Sequence, residues 1–157
     1  MELTSDLVDK HGDRIRICSV QFLQYGRMLR FFGPIRTIKT FRENALIKAT
    51  LSERGNGSVL VIDGAASLES ALVGDLIAGL GLSNGWAGLV IWGAVRDSVA
   101  LAQLDLGIKA LGTNPRKSGK ASVGQIDIPV EFGGVTFRAG DWLYSDEDGI
   151  VVSDTRL

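Results

Sequence analysis

Two uninterrupted apolar runs, Ser58-Val-Leu-Val-Ile-Asp63 and Ala87-Gly-Leu-Val-Ile-Trp92, constrain this chain more than any other feature. Neither run alternates polar with apolar residues, so each reads as a strand covered on both faces. Between them, Ser67 to about Leu82 carries helical spacing through Leu68, Ala71, Leu72, Leu76, Ile77 and Leu80,. Two buried strands joined through a helix make a parallel crossover. Gly74 interrupts the helical pattern at a cost of roughly 1 kcal/mol relative to alanine, which predicts a break there and a second helix starting near Asp75,.

The remaining segments arrange themselves around that crossover. Thr4 and Ser5 stand as caps before Leu7 and Val8, predicting a short amphipathic helix over residues 4 to 10 that His11-Gly12-Asp13 ends,. A strand is expected over 35 to 41, entered through Gly33-Pro34, and a helix over 43 to 53 that stops at Gly55-Asn56-Gly57,. Asp97 or Ser98 can cap a helix over 98 to 104, Leu106 to Leu111 reads as a strand, and Thr113 to Gly124 as a polar, basic loop, whose Arg116-Lys117-Ser118-Gly119-Lys120 reads as solvated, with the shielding of a second substrate carboxylate at a subunit boundary as the alternative,. The last third turns to short strands at 125 to 130, 135 to 137, 142 to 144 and 150 to 152, separated by glycine-bearing turns,. The expected architecture is α/β: a mixed sheet, parallel in the middle and antiparallel late, with outer helices, in one domain over residues 1 to 157,.

Charge and cysteine usage narrow the class of function. Seventeen basic residues balance eighteen acidic ones, which argues against direct nucleic-acid binding,. The lone cysteine, Cys18, permits no internal disulfide and no thiolate zinc cluster, in keeping with a reducing compartment,. The N-terminal MELTSDLVDKHGDR is too charged for a signal peptide, and no apolar stretch approaches the roughly 20 residues that span a bilayer,. The expected location is cytoplasmic, with no membrane association.

Three residues carry the chemistry. Asp75 lies just past the helix break, where the unpaired amides of a new first turn, Gly74-Asp75-Leu76-Ile77, can bind a carboxylate or phosphate oxygen,. Arg96 and Asp97 follow the second buried strand, at the sheet edge where α/β proteins hold ligands,. The planar fork of Arg96 suits a carboxylate or a developing enolate oxygen, and Asp97 offers a hard oxygen of the kind Mg²⁺ or Mn²⁺ accepts. Each residue also has a plain structural reading: Gly74 as a packing glycine, Asp75 and Asp97 as helix caps, Arg96 as half of a surface ion pair. His11, the only histidine, reads as a solvated helix-end residue, and no side chain stands out as a general base,.

The stretch from Gly57 to Lys120, GSVLVIDGAASLESALVGDLIAGLGLSNGWAGLVIWGAVRDSVALAQLDLGIKALGTNPRKSGK, together with FGGVTFRAGDWLYSDEDGIVVSD, closely resembles the RraA family. The resemblance runs from about Asp6 to Ser153. It implies a swivelling β/β/α domain, similar to the phosphohistidine domain, assembled as a homotrimer or a dimer of trimers. It also implies kinship with class II, metal-dependent aldolases that cleave 4-hydroxy-4-methyl-2-oxoglutarate to pyruvate and decarboxylate oxaloacetate, a small oxo-acid substrate in each case. Their signature is an Asp, twenty residues, Arg-Asp, two residues and a further acid. Asp75, Arg96 and Asp97 satisfy the first three terms, whereas position 100 is Ala100. Carried over, Asp97 would ligate the divalent metal cation and Asp75 hold its water shell. Arg96 would meet the pyruvate-like oxygen, and the amides of Gly74, Asp75, Leu76 and Ile77 the carboxylate. Other members of the family inhibit ribonuclease E by protein contact, so a regulatory, non-catalytic role is the competing expectation. Relatives labelled as demethylmenaquinone methyltransferases suggest a third, but no GxGxxG follows any strand,.

Overall fold

A computed structural model describes residues 1–157. The first apolar run forms β4 (Val59–Asp63) and the second β6 (Gly88–Val95), paired in parallel with Val59 opposite Gly88 and Asp63 opposite Trp92. Parallel pairing extends on either side to β3 (Phe31–Lys39) and β7 (Gly107–Thr113). The late strands β11 (Trp142–Ser145) and β12 (Ile150–Ser153) add in antiparallel fashion beyond β3, followed by β1 (Arg16–Cys18). Strand β2 (Leu23–Gln24) closes the far edge on β7. The sheet thus runs β1-β12-β11-β3-β4-β6-β7-β2, with β5 (Ala71–Val73) on the end of β6 and β8 (Gln125–Ile126) on β3.

Burial on both faces explains the unbroken apolar runs. One face of the sheet turns Leu60, Ile62, Leu89 and Ile91 toward Ile47 and Leu51 of α2 (Ala45–Leu51) and Ala78 of α3 (Asp75–Ser83). The opposite face turns Val59, Val61 and Val90 toward the hairpin of β9 (Val130–Phe132) and β10 (Val135–Phe137). Helices, sheet and hairpin form the three layers of the β/β/α arrangement. α1 (Thr4–His11) is tied down separately, because the Asp146 carboxylate accepts from both the amide and the hydroxyl of Thr4 at 2.7 Å. Trp86 is buried with its indole N–H on the Glu53 carbonyl, and Trp92 stacks on Phe132, so these two rings serve packing.

Several expectations need correction. Residues 67 to 74 are not helical. Ala71–Val73 instead form β5, whose three residues are fully buried and pair with Ala94 and Val95. Helical spacing there was a by-product of apolar residues needed at a strand edge, and tertiary pairing overrode it. For the same reason β6 runs on beyond the apolar run that ends at Trp92, through Gly93, Ala94 and Val95. α4 (Ser98–Leu101) is one turn long instead of seven residues. β1 and β2 had no strand expectation, since their two or three residues are too short to show a period. No helix is long and apolar enough to cross a membrane.

Candidate functional site

The end of β6 and the start of α3 meet because β5 carries the chain back alongside β6. The amide of Arg96 donates to the Val73 carbonyl at 3.0 Å, which locks the two segments together just before Gly74 and just before Asp97. Asp97 then adopts the left-handed conformation (φ 59°, ψ 40°), a region that aspartate tolerates better than most residues,. That turn sends its side chain away from α4. Its Oδ2 accepts from the backbone N–H of Asp75 at 3.1 Å, so Asp97 caps α3 rather than the helix it precedes,.

Gly74 makes this approach possible. A Cβ at position 74 would stand 2.6 Å from Asp97 Oδ2, 3.3 Å from Arg96 Cγ and 3.4 Å from Arg96 Nε. Arg96 Nε lies 4.0 Å from Asp97 Oδ2, and the two side chains are 39% and 37% exposed, so both are reachable from solvent. Of the four amides expected to receive a carboxylate, the one on Asp75 is therefore already engaged. Those of Leu76 and Ile77, in the first turn of a nine-residue helix, carry no hydrogen bond to the protein.

Gly74, Asp75, Leu76, Ile77, Arg96 and Asp97 all line one cavity of about 580 Å³. Ala100 and His11 do not line it; His11 ends α1. Across the cavity stand Asn44, Lys48 and Ser52 from the α2 side, and Lys117, Ser118 and Lys120 from the segment after β7. The basic segment is solvated at Arg116, Lys117 and Lys120, as a solvated loop would be, and Lys117, Ser118 and Lys120 also line the cavity; Lys48 joins them from α2, a position that the sequence pattern does not single out. The signal that could have found Lys48 was its position on the helix preceding β4, which in a parallel crossover packs beside the helix that follows. Buried bonds hold the basic segment. Ser118 donates its hydroxyl to the Ala71 carbonyl at 2.7 Å, shares a 2.8 Å bond with Ser70, and its amide also reaches Ala71.

The donor set fits a hydrated hard cation and little else. Two carboxylates are present with no imidazole or thiolate, and nowhere do three His, Cys, Asp or Glu residues converge as a closed metal site would require,. Mg²⁺ and Mn²⁺ bind through one or two carboxylates and retain several waters, so Asp97, with Asp75 nearby, matches that chemistry.

A family model described as RraA-like, Aldolase/RraA, matches residues 4–152. The chain belongs to this family. Among solved structures, one similar to this RraA-like chain is a Geobacillus kaustophilus protein named as an S-adenosylmethionine:2-dimethylmenaquinone methyltransferase. It is 39% identical, with a TM-score of 0.98 over 99% of this chain and 97% of that one. The RNA-processing inhibitor RraA of Thermus thermophilus is 37% identical, with a TM-score of 0.97 over 100% of this chain and 95% of that one. Streptomyces coelicolor RraAS2, described as an unusual member of the RNase ES inhibitor RraA family, is 27% identical, with a TM-score of 0.76 over 94% and 77% of the two chains. The mixed α/β architecture of this RraA-like protein is the fold of these relatives.

Proposed function

We propose that this protein is a divalent-metal-dependent lyase that cleaves 4-hydroxy-4-methyl-2-oxoglutarate to two pyruvates and decarboxylates oxaloacetate. The observation that carries the reading is the meeting of Arg96, Asp97 and the unpaired amides of Leu76 and Ile77 on one cavity. Those amides, at the positive end of α3, receive the C1 carboxylate. Arg96 then faces the C2 oxygen. When the C3–C4 bond breaks, its electron pair moves into C2–C3 and charge develops on that oxygen, where a fixed guanidinium stabilises it. The proton lost in the retro-aldol direction is that of the C4 hydroxyl, which becomes the carbonyl of the second pyruvate. Oxaloacetate loses CO₂ from C4 and arrives at the same enolate, which is then protonated at C3. Asp97, assisted by Asp75, is the residue that would hold Mg²⁺ or Mn²⁺, and the cation would supply Lewis acidity at the C2 oxygen and carboxylate. We further assign the protein to the cytoplasm as a homotrimer or a dimer of trimers; Leu76 and Val99, each 82% exposed beside the site, are suited to a subunit contact,.

A second reading, a non-catalytic protein that binds ribonuclease E, is favoured by the 37% identity to the Thermus thermophilus RNA-processing inhibitor. The methyltransferase name of the Geobacillus kaustophilus relative is not carried over. The turn after β4, Asp63-Gly64-Ala65-Ala66, lacks the second and third glycines of a dinucleotide-type loop,. The deciding experiment is pyruvate release from both substrates with Mg²⁺ or Mn²⁺ and then with chelator, for the native chain and Asp97→Ala. Turnover that needs both metal and Asp97 supports the lyase. A folded protein with no turnover above the metal-only background sinks it, and binding to ribonuclease E becomes the next assay.

A further inference from the structure

We propose that a second cavity, on the other face of the sheet from the first, binds a free α-amino acid with its ammonium on Asp63 and its carboxylate on Lys39. The cavity measures about 530 Å³, within the range that small-molecule ligands occupy, and sits where β3 and β4 end,. Lys39 and Asp63 are register partners on these two parallel strands. Strand alternation sends both side chains to the hairpin face, with Ile35 and Val61, whereas the first cavity lies on the helix face beside α2 and α3,. The proposal is independent of the lyase reading.

The Asp63 carboxylate is the observation that points to a ligand. The residue is only 9% exposed and lines the cavity, yet no cation of the protein pairs with it. The carboxylate's one hydrogen bond comes from the Ala65 amide to Oδ1, at 2.9 Å. Oδ2 is left without a partner. A carboxylate oxygen buried in that state calls for a donor, and a cationic donor above all. The turn that follows fixes the group. Ala65 and Ala66 both adopt the left-handed conformation (φ 56° and 59°), and the amides of Gly64 and Ala66 both donate to the Trp92 carbonyl.

The rest of the lining says what else the ligand carries. Glu43, the other acid, already accepts from the Ala121 amide at 2.8 Å through Oε2. Lys39 is the only cation of the lining and forms no ion pair, although it stands beside Asp63 in register. A free ammonium there disfavours a bare metal ion and offers a seat to an anion. Neighbouring strands lie about 4.8 Å apart, so one ligand that answers both charges bears its own ammonium and carboxylate close together, as an α-amino acid does on a single carbon. Phe41 and Val123, 60% and 63% exposed, add apolar surface to the same cavity for an apolar side chain,.

Calorimetric titration of the native protein with L-leucine tests the assignment, against 3-methylbutylamine, which lacks the carboxylate, and 4-methylpentanoate, which lacks the ammonium. Leucine should bind about tenfold more tightly than either, the factor that one charge-assisted hydrogen bond supplies. Asp63→Asn keeps an acceptor for the Ala65 amide but loses the charge, and should erase the advantage of leucine over 4-methylpentanoate. Lys39→Met changes an exposed side chain at the end of β3, so folding is preserved, and should erase the advantage over 3-methylbutylamine while the amine still binds. Absence of saturable leucine binding to the folded native protein at about 10 mM overturns the proposal. So does leucine binding that both variants retain in full, which would put the ligand elsewhere, and so does equal affinity of the native protein for leucine and 3-methylbutylamine.

Discussion

Replacing Gly74 by alanine separates the site's geometry from the fold's stability. The backbone at Gly74 is extended (φ −120°, ψ −167°), so alanine adopts it without strain and only space is at issue,. The new Cβ would stand 2.6 Å from Asp97 Oδ2. A carbon–oxygen contact settles at about 3.4 Å, so the carboxylate has to withdraw by roughly 0.8 Å. That movement breaks its 3.1 Å bond from the Asp75 amide and uncaps α3. Losing a helix cap costs about 1 kcal/mol, which for a chain of this size lowers Tm by about 2–4 °C. The effect on chemistry is larger, because a displacement approaching 1 Å in a positioned group costs on the order of 100-fold. Thermal unfolding and oxaloacetate decarboxylation, measured on the same Gly74→Ala preparation, give both numbers. Native activity in the variant would show that the close approach of Asp97 to α3 is dispensable. A collapse in Tm of tens of degrees would show that Gly74 serves the core and not the site.

Two further perturbations follow from the buried polar contacts. Ser118→Ala removes a hydroxyl bonded to Ala71 and Ser70 in a residue only 4% exposed, so urea unfolding should show a loss of about 1–2 kcal/mol; kcat/KM should fall as the lysine segment loosens,. Asp146→Asn should flatten the acid side of the stability profile. Burial disfavours the charged carboxylate, but hydrogen bonds from the amide and hydroxyl of Thr4 and from the amides of Asp148 and Gly149 outweigh it and hold the group below its ordinary value of 3.8. The unfolded chain therefore takes up this proton first as pH falls. The contribution is fully present above pH 3.8 and is lost as pH drops through the lower folded value,. Denaturant unfolding from pH 6 to pH 2 should show a difference of roughly 2 kcal/mol between native and variant at the upper end that narrows toward the lower. A constant difference across that range would refute the assignment.

The sequence alone determined the covered parallel strands β4 and β6, because an unbroken apolar run has only one stable environment. It also determined the helix start at Asp75, through the apolar spacing that begins there, and the antiparallel strands from Val135 onward, through backbone preferences at the glycine turns; the strand expected over 125 to 130 is instead split into β8 and β9, with Asp127 between them in the left-handed region (φ 56°). The spacing of Asp75, Arg96 and Asp97 marked one side of the cavity for the same reason: strand ends and helix starts are local events. Tertiary structure decided everything that depends on which segments become neighbours. It turned residues 71 to 73 into a strand, since pairing with the end of β6 satisfied their backbone better than a helical turn could. It gave Asp97 to the neighbouring helix α3 rather than to its own, through a left-handed turn that no spacing encodes. It also folded Lys48, Lys117 and Lys120 against Arg96, residues up to 72 positions apart (120 − 48) in the chain. Hydrogen bonds and charges act through space, so a cavity wall drawn from two distant segments exists only once the sheet between them has formed.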